Sequence, residues 1–200
     1  MLVMLQMNGI NVQTDEQQRL ESVTQLFDKL FAEPYNTRLI GGAAEPIYLP
    51  VNSECQFHRL IYRHNYLSSA LHEIAHWCLA GVDRLLKRDF GYWYQPDGRS
   101  AAEQNRFQQV EVKPQALEWM FAIACGHSFT ISLDNLSDPT ARDSRAAQLF
   151  ERAVADQCNA WCKSRGLPPK AKQFIDQLAL WFKTSDPYNP QHYQPSMERN

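Results

Sequence analysis

Two hundred residues suffice for one domain with a sizeable core, and a composition 44% hydrophobic and 12% aromatic suits a globular protein. A net charge of −2 and a pI near 6.3 argue against direct nucleic-acid binding or attachment to an anionic membrane, which use a basic excess. No apolar run approaches the ~18 residues of a membrane span, and "MLVMLQMNGI" lacks the basic start and long apolar core of a signal peptide.

In chain order, residues 1–14 carry no clear pattern and are expected to form a disordered extension. Residues 15–32 read as a helix, with Leu20, Val23, Leu26, Phe27, Leu30 and Phe31 on one stripe and Pro34 ending it. "RLIGGAAEPIYLP" reads as two extended segments joined by a Gly-Gly turn. "FHRLIYRHN" alternates as a strand does. Residues 66–80 form a helix that Gly81 is placed to end in the left-handed conformation. "DFGYWYQPDGRS" combines aromatics with a Pro-Asp-Gly turn signal.

From Glu103 to Cys125 the pattern is helical again, with Pro114 predicting a kink or a restart and Gly126 closing the element. "SFTISLDNLSDP" reads as a short strand or loop. Two further helices, 141–163 and 169–183, flank "RGLPP". Residues 184–200, rich in proline and polar residues, are expected to be a flexible tail. The whole reads as an α+β, helix-rich single domain over 15–183 with a small sheet. Five cysteines, an odd count without a CxxC pair, argue against a disulfide framework or a zinc ribbon and suit a reducing cytoplasm.

The stretch "LHEIAHWCLAG" carries the chemistry. On a helix His72 and His76 stack on one face, about 5–6 Å apart at Cβ, so both imidazoles can address one metal ion. The small Ser69 and Ala80 lie close to the same side and leave room for an ion. A third donor is needed, and Glu111, Glu118, His64, His127 and Asp134 are candidates. Glu111 and Glu118 share a helical face. Two histidines and a carboxylate suit zinc with an activated water, and they equally suit non-heme iron(II). Glu73 separates the two chemistries: it would be the general base of a zinc metallopeptidase, whereas an oxygenase needs no such base.

The blocks "YNTRLIGGAAEPIYLP", "HEIAHWCLAG", "DFGYWYQPDGR" and "VEVKPQALEW" resemble, in that order, the signature blocks of the elongation factor P hydroxylases, over about residues 26–136. The resemblance implies a cytoplasmic protein with a zincin-like metal helix. It would hydroxylate a lysine of the translation factor elongation factor P after that lysine has been extended with a β-lysyl group. It implies iron(II) on His72, His76 and Glu111, with dioxygen as co-substrate. Under it Tyr92, Trp93 and Tyr94 are candidates to line the entry of a cationic side chain through cation–π contact. Glu118 or Asp97 is a candidate for its terminal ammonium, and Arg38, Arg63 and Arg99 for an acidic partner. Two readings from other classes stand beside it: a zinc metallopeptidase with Glu73 as base, and a binding module for elongation factor P with a structural metal.

Overall fold

The computed structural model describes residues 2–88, 101–133, 145–164 and 166–196, with side chains described from Asp15 in the first helix and from Arg106 in the third. Tyr92, Trp93, Tyr94, Asp97, Arg99 and Asp134 lie outside the described residues. The chain runs α1 (Leu2–Phe31), β1 (Thr37–Ala43), β2 (Ile47–Leu49), β3 (His58–Arg63), α2 (Leu67–Leu79), α3 (Ala101–Ala124), α4 (Arg145–Ser164) and α5 (Pro169–Phe182), followed by a 3-10 turn at Pro190–His192. This is a helix-rich α+β domain, as the sequence predicts. No helix among the described residues is long and apolar enough to cross a membrane.

The first helix begins at Leu2, well before the apolar stripe that starts at Leu20. That stripe buries Leu20, Val23, Leu26, Phe27 and Phe31.

The sheet has the order β1-β3-β2, with β1 parallel and β2 antiparallel to the central β3. Leu39, Leu60 and Tyr48 lie on the buried side, opposed across the three strands. The Gly-Gly pair does not make the expected turn. Gly41 and Gly42 lie inside β1, where the register shifts between Ile40 and Ala43. Gly42 has φ +92, and a Cβ on Gly41 would meet the Tyr62 ring at 2.6 Å. The glycines serve a bulge and a close backbone approach.

Helix α2 packs on both the sheet and α3. Leu67, Ala70, Leu71, Ile74, Ala75 and Cys78 form its buried stripe, the three-and-four spacing that makes this sequence a core helix. Its end differs from expectation. The cap is Ala80 in an extended conformation, and Gly81 has no positive φ. Gly126, at φ +70, does close α3. Pro114 is accommodated inside a continuous α3.

Trp77 anchors the core between α2, α1 and α5. Phe27 and Phe31 each lie 5.1 Å from it, and Tyr35 lies 5.4 Å away. Lys170 at the start of α5 places its ammonium 3.9 Å from the Trp77 ring centre and donates to the Trp77 carbonyl at 2.8 Å.

Residues 184–196 also depart from the expected flexible tail. Tyr193 is 1% exposed. Its ring meets Trp119 of α3 edge-on at 5.6 Å, and its carbonyl accepts from Asn159 of α4 at 3.3 Å. Composition suggested a solvated segment, but Tyr193 in the core, with Tyr188 donating to Asp176 at 2.6 Å, docks it.

Candidate metal centre

The donors come from two helices that cross. His72 and His76, one turn apart on α2, present Nε2 atoms 3.0 Å from each other. Glu111 reaches over from α3, with Oε1 3.4 Å from His76 Nε2 and Oε2 3.6 Å from His72 Nε2. His72, His76 and Glu111 each offer a ligand atom, all within 4.8 Å of one another. Neither His64 nor His127 joins this group. His64 stands at φ +48 after β3, and His127 follows the end of α3.

Glu73, Glu111 and Glu118 are all buried, at 9%, 3% and 7% exposure. Among the described residues Glu111 Oε2 has no hydrogen-bond partner. Buried carboxylates need counter-charge and partners. A divalent cation on the three donor atoms supplies both, and imidazole with carboxylate is a donor set for zinc or iron. Ligand atoms about 2.0–2.2 Å from a common ion lie roughly 3–3.6 Å apart, so the observed separations fit one.

Protonation in the ion-free cluster follows from the same crowding. His72 is pushed up to about 10. Burial works against its charged form, but the Glu118 hydrogen bond and the charges of Glu118, Glu111 and Glu73 outweigh that. Burial raises Glu73 above its ordinary value, with the Glu111 and Glu118 charges reinforcing it and the two imidazoles opposing. For Glu111 burial also acts upward. The contact and charge of His76, the charge of His72 and the Gln115 amide prevail, and its carboxyl is lowered.

Access is from the side of His72, whose side chain is 25% exposed against 12% for His76 and 4% for Glu111. Against His76 lies a cavity of about 30 Å³, bordered also by Glu73, Ala80, Arg84, Tyr48 and Leu60. This is space for a molecule about the size of water.

Glu118, a candidate for the substrate's ammonium, sits beside His72. Its Oε2 lies 2.8 Å from Nδ1 of His72. Arg38 stacks on Phe57 at 5.0 Å and pairs in register with Arg59 across β1 and β3. The sequence reading passed over Gln115. It is 1% exposed and sits one turn from Glu111, and its amide clamps both the N–H and the carbonyl of Ser132. The signal available was its position, four residues after a candidate ligand on the same face.

Fold and site together define a helix-rich α+β protein with a two-histidine, one-carboxylate donor group on crossing helices. The profile of the family described as Elongation factor P hydroxylase matches residues 26–193. A Haemophilus influenzae protein named Elongation factor P lysine hydroxylase is 44% identical over 171 residues, 86% of this chain and 93% of its own length. The chain belongs to the elongation factor P hydroxylase family.

Proposed function

We propose that this protein hydroxylates a lysine side chain of elongation factor P in the cytoplasm, once that lysine carries a β-lysyl extension. Iron(II) held by His72, His76 and Glu111 is the cofactor and dioxygen the co-substrate. The observation that carries the reading is the convergence of the three donor atoms within 4.8 Å in a member of this family. Held there, iron(II) would supply the activation of dioxygen.

The chain's own residues contribute binding, orientation and field. His72 and His76 offer Nε2 lone pairs from one rigid helix. Glu111 brings a charged donor from the second. The three buried carboxylates give the site a negative field that suits a long cationic side chain. Tyr92, Trp93 and Tyr94 are assigned to the wall of its entry, where aromatic faces would meet an ammonium. Glu73, buried beside His76, is assigned a supporting role and not that of a base. Free thiols at Cys55, Cys78, Cys125, Cys158 and Cys162 are compatible with a reducing compartment.

The test is anaerobic reconstitution with iron(II) or zinc, followed by mass spectrometry of elongation factor P after air is admitted. The expected result is a gain of one oxygen with iron alone, faster on the β-lysylated form than on the unmodified one, because contacts to the extension position the reacting carbon. Peptide-bond cleavage with zinc would replace this reading with the metallopeptidase. Metal binding without either reaction would favour the binding module.

A further inference from the structure

His72 lies between two carboxylates of the same helix. Glu111 faces its Nε2 at 3.6 Å and Glu118 faces its Nδ1 at 2.8 Å. Seven residues separate the two acids, so they share a face of α3 about 10 Å apart along the axis. An imidazole spans that gap with one nitrogen toward each. The Glu118 side chain is 9% exposed.

We infer that Glu118 is a positioning residue: its carboxylate accepts the Nδ1–H of His72 and thereby fixes the tautomer and ring orientation in which the Nε2 lone pair faces His76 and Glu111. The inference rests on the ligand set proposed above. An ionised carboxylate is an acceptor only, so it admits one tautomer at Nδ1. A ring flip would exchange Nδ1 for Cδ2 and Nε2 for Cε1, presenting carbon to the donor group and leaving Glu118 buried without its partner. An amide in its place is ambiguous. Its carbonyl would keep the tautomer, but its NH2 would favour Nε2–H and direct a proton at the donor group. Carboxylates behind metal-bound histidines fix the ring and raise its basicity, and their removal costs about 10–100-fold in metal affinity or activity.

The test uses the full chain, stripped of metal, as wild type, Glu118→Ala, Glu118→Gln and Glu118→Asp. Cobalt(II) or zinc affinity is measured by competition with a chromophoric chelator. In the zinc-loaded protein, nitrogen-15 NMR reads the protonation of each His72 nitrogen. The expected result is one ion per chain in every variant, with affinity about 10–100-fold lower for Glu118→Ala and Glu118→Gln. Glu118→Asp should recover part of that loss. The Nδ1 proton of His72 is expected to be sharp in wild type and exchange-broadened in Glu118→Ala. Should Glu118→Ala not fold, the near-isosteric Glu118→Gln decides.

Wild-type affinity together with an unchanged Nδ1 proton in both variants overturns the inference. So does complete loss of binding in Glu118→Ala with retention in Glu111→Ala, which would make Glu118 the ligand. Failure of the wild type to hydroxylate elongation factor P would remove the proposed activity but leave these binding and NMR outcomes to decide the role of Glu118.

Discussion

Glu73 separates the two chemistries that a His–His–Glu group supports. A metallopeptidase needs it as the base that activates water, whereas an oxygenase needs no such base. Glu73→Gln is therefore expected to retain metal and to lose less activity than His72→Ala, read by metal analysis and turnover of elongation factor P. A metal-replete but inactive Glu73→Gln would give Glu73 a direct proton-transfer role. His72 supports a second prediction. In the ion-free protein its value is about 10, above the unfolded value of roughly 6.5. The protonated contact therefore stabilises the ion-free fold below about pH 6.5, and this contribution is lost as the pH rises toward 10. Metal, in contrast, binds the deprotonated ring, so its affinity rises over the same window. The gap in melting temperature between metal-loaded and stripped protein should widen from pH 6.5 upward. A gap that narrows would show that His72 does not exchange a proton for the ion.

The histidine helix was legible as an element because three-and-four spacing of apolar residues is a property of the sequence itself. Its end was not, since the last turn is held by a partner 93 residues away: Lys170 donates to the Trp77 carbonyl. No local pattern reports such a contact. Lys170→Met should cost about 1–3 kcal/mol by chemical denaturation, the scale of a charged hydrogen bond. The cost should appear with little change in how α5 packs, because the apolar stem is kept. A neutral substitution would show that the ammonium contributes nothing net. The glycine pair was misread for the same kind of reason. Turn and bulge use the same residue, and only the Tyr62 ring beside Gly41 distinguishes them. For the site, the spacing named both histidines and left five candidates for the third donor. Among the described residues the crossing of α2 and α3 brings Glu111 to the two histidines and places Glu118 at the far nitrogen of His72.

Across the whole molecule the core is continuous from α1 to the C-terminal segment. Composition hid this at the end of the chain, where prolines and polar residues surround Tyr188 and the buried Tyr193. Tyr193→Ala should lower stability by about 3–5 kcal/mol, the range for deleting a buried large aromatic, measured by urea unfolding. A change below about 1 kcal/mol, well under that range, would mean the segment is a passenger. Tyr193 packs on Trp119, the neighbour of Glu118, so the C-terminal segment also braces the stretch of α3 that faces the histidines.

The strand order carries a consequence for how the chain is made. The central strand β3 is the last of the three in sequence. On a ribosome, β1 and β2 emerge with no partner for either, and they wait for the chain from Leu49 to Arg63 to follow. At about 5–20 residues per second that interval is roughly one to three seconds. The nascent polypeptide meanwhile shows two unpaired edges, and α2 emerges directly after the strand that joins them. The sheet and the helix bearing the histidines are thus born together, and a translational pause before Arg63 would prolong the exposure of those unpaired edges.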